Sequence, residues 1–363
     1  MRKSILIGGV VLLSITTIAM MFFWSRSQNS QSNVNLSGVQ RRLMKTNVLG
    51  PITFEKEYEA DLYTPSSVWN GMFYCYNHRK GAILIIDSQG SIQNQIGKRG
   101  NSPGEFQRVI DIDVDSAGVH LIDGNSSKIT TLSHTGAYIR EQQYKKVIER
   151  GIRLTSTKFL FKTGVPGTST NEEFEIYDIN NQSTSSVFVK RPLQEEDEQI
   201  RDIQVDGFFV RNTTNTQFFR ISYTTGQFVS FDNVGKPLYT TSTIDNSPLP
   251  KFDKRIINGQ TGIFPAKNTR TINLSATADK DYLYILSNAA SPTIKDTKEE
   301  LVSEYIIDVY NAVDGSYSSS FSLPNTKNLR ITDIILNNET LYITCGGNVL
   351  AAYPLDKKQL FKN

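Results

Sequence analysis

The sequence predicts an all-β chain, a six-bladed β-propeller preceded by one N-terminal transmembrane helix, and three observations carry that reading. The stretch Gly97–Glu141 holds four short strands divided by glycine and aspartate turns, which is the make-up of one blade. Comparable strand blocks recur along the 363 residues at the spacing of roughly 40 to 55 residues that a four-stranded blade needs. Ile5–Trp24 is uncharged and about 20 residues long, enough to cross a hydrocarbon core as a helix.

Taken from the N-terminus, residues 1–4 read as a cytoplasmic tail and 5–24 as a signal-anchor, with Arg2 and Lys3 before the apolar run and Phe22, Phe23 and Trp24 at its outer end. A cleaved signal peptide with Ser25 or Ser27 at its cleavage site is the alternative, which would release an exported soluble form. Either way the propeller is expected on the extracytoplasmic, periplasmic side, as a single-pass protein of the cell membrane in the first case. Residues 25–50, rich in Ser, Asn and Gln, bury too little to order themselves and read as a flexible tether.

The propeller then occupies residues 51–363. Blade one is expected over Val68–Ile96, blade two over Val109–Glu141, blade three over Arg153–Val189, blade four over Arg201–Ser242, blade five over Thr271–Leu323 and blade six over Ile331–Phe361. Ile52–Ala60 alternates apolar and polar residues ahead of the first blade, so it should add the outer strand of blade six and remove a free sheet edge. Two insertions, Asn246–Asn268 with three prolines and few strand signals, and the polar Asn288–Glu300, read as loops on one face, where recognition often resides.

Blade two carries the most specific motif: Gly97-Lys98-Arg99-Gly100-Asn101-Ser102-Pro103-Gly104-Glu105-Phe106, the run Asp111-Ile112-Asp113-Val114-Asp115, then Gly118, Asp123, Lys128-Ile129 and Gly136. This pattern resembles the NHL repeat and the TolB-like six-bladed propellers common among exported bacterial proteins. The resemblance implies the fold, but such propellers include scaffolds, binding proteins and a few enzymes, so function has to come from a site.

Composition narrows the chemistry. A formal charge of +3 without a basic helix or zinc-finger spacing gives no support to nucleic-acid binding. His78, His120 and His134 do not share metal-ligand spacing, and Walker loops and serine elbows are absent. Cys75 and Cys345 fall in second strands of neighbouring blades, a sheet spacing of about 10 Å apart, so they are expected as free buried thiols.

One constellation stands out. Arg108, Arg201, Arg270 and Arg330, with a looser copy at Arg153, each open a short Arg-x-x-polar-aliphatic string at the expected start of an inner strand. Guanidinium forks ringing the mouth of the central channel would hold a carboxylate, sulfate or phosphate, whereas arginines paired with Asp111 or Asp333 would only fasten the ring. The leading expectation is therefore a membrane-tethered, non-catalytic binding or scaffolding propeller for an anionic ligand, a glycan or a protein partner, without a cofactor. The alternatives are a hydrolase, lactonase or lyase with a divalent metal held by Asp111, Asn273 and Asp333, and a structural subunit of an envelope complex.

Overall fold

The computed structural model describes residues 32–34, 40–44, 48–163, 171–190, 200, 204, 206–245, 250–257, 260–266, 269, 271–288, 305–324 and 329–360. The signal-anchor expected at 5–24 and most of the Asn288–Glu300 insertion lie outside them. Among the described residues no helix is long and apolar enough to cross a membrane.

Six sheets stand around a common axis, five of four antiparallel strands and one, blade four, with a fifth strand added parallel at its outer edge. Blade one runs from the inner strand Leu62–Trp69 through Met72–Asn77 and Ala82–Ile86 to the outer Ile92–Ile96, and blade two from Val109–Asp115 to Tyr138–Gln143. The inner strands of blades three to six are Ile148–Arg153, Gly207–Arg211, Asn273–Ala278 and Ile331–Asn337. Blade six lacks an outer strand of its own. Phe54–Glu57 supplies it by pairing antiparallel with Val349–Ala352, so the two ends of the chain close the ring as expected.

The burial pattern explains why these segments are strands. Middle strands such as Ala82–Ile86 are buried along their whole length, because each blade is covered on both faces by its neighbours. The outer strand Ile92–Ile96 is exposed in all but its last residue. Each of the six junctions between consecutive blades has its own apolar cluster, including the junction of blade six with blade one, where Tyr342, Leu350 and Ala352 meet Leu62, Phe73 and Cys75.

The blade-two motif is a set of fold-building devices. Phe106 is fully buried beneath Gly97, whose φ of 67° and absent side chain are both required, since a Cβ there would stand 2.5 Å from the Phe106 ring. The Asp123 carboxylate accepts N–H bonds from Gln107 (2.6 Å), Arg108 (3.0 Å) and Asn125 (3.0 Å), stitching the entry of the inner strand to the turn after the second.

Several boundaries differ from the sequence reading. Blade one begins at Leu62 rather than Val68, and blade three at Ile148 rather than Arg153. The blade-three strand runs through Gly151, where a Cβ would stand 2.7 Å from the Phe161 ring, so the position takes a residue without a side chain. The Asn246–Asn268 insertion, expected as a loop, contains a hairpin, Phe252–Ile257 with Gln260–Pro265, that leaves Ile256 and Ile257 exposed. Part of the segment expected as a free tether lies against the propeller. Ser32–Val34 pairs parallel with Tyr239–Thr241 at the outer edge of blade four, and Met44 donates its N–H to the Ser320 carbonyl (2.8 Å). Between these points Arg41 reaches the buried carboxylates of Asp245 and Asp308. Cys75 and Cys345 are both buried and form no disulfide.

Candidate functional site: the central channel

The six inner strands touch one another in sequence around the axis and enclose a cavity of 1160 Å³. The inner strands of blades four, five and six run side by side in the same direction. Ser275 Oγ and Thr277 Oγ1 accept the N–H groups of Ile334 (3.2 Å) and Leu336 (2.9 Å), and Asn212 bridges parallel to Ala278. The first residues of the inner strands therefore mark one mouth and their last residues the other.

The wall facing blades two to four is a continuous ion-pair chain. Arg211, the last residue of the blade-four inner strand, extends past blade three to blade two, where it pairs with Asp111 (2.5 Å) and Asp113. Arg153 of blade three takes the other oxygen of Asp113 (2.6 Å) and also Asp115 (2.8 Å). His120 ends the chain, with Nε2 on Asp115 (3.0 Å) and Nδ1 on the Thr131 hydroxyl (3.1 Å).

Burial works against the Arg211 charge, but the Asp111 and Asp113 carboxylates overcome it and raise its pKa. Burial likewise opposes the Asp113 carboxylate, and Arg211 with Arg153 reverses the balance, so its pKa falls. At Asp111 burial prevails over Arg211 and the pKa rises. His120 is pushed down by burial and then by Arg153, against the pull of Asp115, so it stays neutral near pH 7 and its Nε2–H donates to Asp115.

The opposite wall is built differently. Asp333, from the inner strand of blade six, accepts the hydroxyl protons of Ser275 on blade five and of Ser66 on blade one (2.8 Å), and the N–H of Ile334 (2.9 Å). Among the described residues no Lys, Arg or His pairs with it. Burial pushes its carboxyl up to about 6, opposed by those donors. Aromatic surface completes the channel. Tyr223 packs on Phe208 with ring centroids 5.2 Å apart, and Trp69 is stacked on His134 at 4.3 Å.

The arginine ring read from the sequence is not assembled by the residues that can be placed. Arg108 is exposed and lines the channel. Arg153 instead ends its inner strand, at the far end of the channel, where two carboxylates hold it; the strand starts five residues earlier than the sequence suggested, which inverts the position of its arginine. Arg330 is exposed outside the cavity lining, tied through its carbonyl to Gly346 N–H (2.8 Å). Arg201 and Arg270 lie outside the described residues.

The oxygen set suggested for a metal is dispersed as well. Asp111 is engaged by Arg211, and Asn273 is fully buried with its amide donating to the Ser222 carbonyl (2.6 Å), which fastens blade five to blade four. Asp333 has serine partners. Among the described residues no group of three or more His, Cys, Asp or Glu could hold a metal ion.

Sequence reasoning missed Arg211, Arg150 and the isolation of Asp333. Arg150 lines the channel and is held by Asp206 (2.7 Å) and the Gly207 carbonyl (2.9 Å). The one available signal for Arg211 was its place at the end of Gly207-Phe208-Phe209-Val210-Arg211, a charge closing a strand of otherwise apolar residues.

Comparison with known proteins agrees with this architecture. The family model DUF5128, a 6-bladed beta-propeller, matches residues 65–198. The chain is a six-bladed β-propeller. A member of the duf4221 family from Bacteroides vulgatus superposes with a TM-score of 0.54 at 12% identity, covering 84% of this chain and 97% of the other. A protein from Bacteroides fragilis gives a TM-score of 0.51 at 9% identity over 90% and 100% of the two chains. At these identities the likeness concerns the fold. No curated protein matches the sequence.

Proposed function

We propose that this chain is a membrane-tethered, extracytoplasmic propeller that binds a polar ligand in its central channel without transforming it. The observation that carries the reading is the 1160 Å³ channel, whose wall combines aromatic surface with a mutually neutralised set of charges, Asp111, Asp113 and Arg211, the buried Arg153 pairing with Asp113 from behind. Concave sites of this size with a few fixed polar groups suit recognition. Arginines and carboxylates that satisfy one another are poorly placed to give or take a proton in a reaction. The residues on which the resemblance to NHL and TolB-like propellers rests, Gly97, Phe106 and Asp123 among them, have fold-building roles and bring no ligand with them. Tethering rests on the apolar run Ile5–Trp24 and its basic flank.

The test uses the full chain in detergent micelles, with thermal unfolding followed against a panel of neutral sugars, short peptides, carboxylates, phosphates and amines. A channel ligand at 100 times its dissociation constant adds about 2.7 kcal/mol of stability. Ser67→Trp, which fills the bore from the wall of blade one, is expected to abolish that gain. A panel without effect, or a stabilisation that survives the filled bore, would remove the channel from consideration. For the tether, resistance of the cell-associated protein to alkaline carbonate extraction is expected, and release into the soluble fraction would contradict it.

A further inference from the structure

The two walls of the channel differ in how their carboxylates are balanced. On one side Asp111, Asp113 and Asp115 have guanidinium partners, and at the far mouth Asp279 has Lys357 at 2.7 Å. Asp333 is as buried as Asp113 and lines the same cavity, yet its side-chain partners are the hydroxyls of Ser66 and Ser275. Those donors come from the two neighbouring blades, one to each oxygen, so the carboxylate is fixed in orientation. Each oxygen of an ionised carboxylate accepts two hydrogen bonds, and two hydroxyls with one backbone N–H leave acceptor capacity unused.

A buried carboxylate without a counter-charge is costly, and it is relieved by a proton or by a cation. Asp333 takes the first route at low pH, as burial raises its carboxyl to about 6. At neutral pH it is ionised, and the second route is open only to a cation arriving through the channel. The far mouth favours such an arrival, since Asp279, Asp281 and Glu339 face the cavity there against Lys280 and Lys357. Among the described residues Cys75 and Tyr223 feel the Asp333 charge, and their raised pKa values keep them neutral beside it; of the cavity-lining arginines, Arg150 is held by Asp206 (2.7 Å) and Arg108 is exposed.

We propose that Asp333 is the anchoring point for the ammonium group of a channel ligand, so that the propeller recognises primary or secondary amines. The inference rests on the channel being a ligand site, as put forward above, and adds the ligand class. An ammonium fits because its N–H donors match the free acceptor positions of a carboxylate already held by two serines, and because the Tyr223 and Phe208 rings in the wall suit an organic cation. A hard divalent metal fits less well, since it takes six or more oxygen ligands and, among the described residues, Ser66 and Ser275 bond no carboxylate other than Asp333.

The experiment compares benzylamine with its neutral counterpart benzyl alcohol and its anionic counterpart benzoate, binding to the full chain being read by calorimetry and ligand-observed NMR at pH 7.5. Benzylamine is expected to bind at least tenfold more tightly than benzyl alcohol. Asp333→Asn, nearly isosteric, is expected to remove that preference, and so is a shift to pH 5, where Asp333 is protonated. Ser66→Ala, which leaves the carboxylate but loosens it, should weaken benzylamine by a smaller factor. Equal binding of benzylamine and benzyl alcohol, or an amine preference that persists in an Asp333→Asn variant that still unfolds cooperatively, overturns the proposal. So does competition by calcium at equimolar amine, which would mark the site as a metal site. If benzoate or a neutral probe binds and is excluded by Ser67→Trp while benzylamine is indifferent, the amine assignment falls and the channel reading stands. If no probe in either panel binds, both fall.

Discussion

Replacing Asp333 by Asn should make the propeller more stable at neutral pH, which is the opposite of what removing a hydrogen-bonded buried side chain usually does. The carboxyl titrates at about 6 in the folded protein against 3.8 in an unfolded chain. Between those values the unfolded chain has released its proton and the folded one has kept it, so the unfolded state binds fewer protons and stability falls as pH rises. The loss accumulates from about pH 4 and is complete above about pH 7; a shift of about two units corresponds to roughly 3 kcal/mol.

Asn keeps the volume and one acceptor, and its amide can donate to a serine oxygen, without carrying the charge. Urea unfolding midpoints of the parent and Asp333→Asn, measured from pH 4.5 to 7.5, should therefore diverge with pH. The variant is expected to be favoured by up to about 3 kcal/mol at pH 7.5 and by much less at pH 4.5. Groups common to both proteins cancel in the difference, including Asp115, whose pKa is depressed. A difference that does not change with pH would mean that Asp333 is not strained by its burial, and the argument from its isolation would fail with it. A charge that lowers stability where a neutral isostere would not is the kind of cost retained for binding.

Other consequences follow from the same geometry. Arg211→Ala leaves Asp111 and Asp113 without their shared partner and should cost about 3 kcal/mol in urea unfolding, with partial recovery when Asp111→Asn is added. Arg41→Ala removes the cation between Asp245 and Asp308, and is expected to lower the unfolding midpoint and to speed proteolytic cleavage and hydrogen exchange over residues 40–50. Gly118→Ala places a Cβ 2.2 Å from the Leu132 carbonyl oxygen at a φ of 141°, and should destabilise blade two by about 2 kcal/mol or more, measured in the same assay. Cys75 and Cys345 should both resist a thiol reagent in the native protein and both react once it is unfolded; labelling of either in the folded state would contradict their burial.

How much of this was legible in the sequence depends on the range of the interaction involved. Blade two could be read in detail because Gly97, Phe106, Gly118 and Asp123 act within one sheet, over separations a local pattern can encode. The outer strand that closes blade six was legible for a related reason, since a spare alternating strand at one end must cover an open edge at the other. The arginine string failed at Arg153 because strand register is set by packing. The strand begins at Ile148 and passes through Gly151 beneath the Phe161 ring, which carries Arg153 to the opposite end of the channel. Arg41 was hidden in a polar segment with no local pattern, because its partners lie on blade five and in the connection that leads to it.

The sequence alone determined the strand content, the blade repeat and the manner of ring closure, since alternation, turn residues and strand-edge satisfaction are properties of neighbouring residues and of the backbone. Tertiary structure decided which charges meet. Arg211 crosses blade three to reach Asp111, and Asp333 faces serines from two other blades, because the ring brings inner strands separated by scores of residues to within hydrogen-bonding distance. Electrostatic energy depends on those through-space distances and on burial, so the character of the channel could emerge only once the blades were in place.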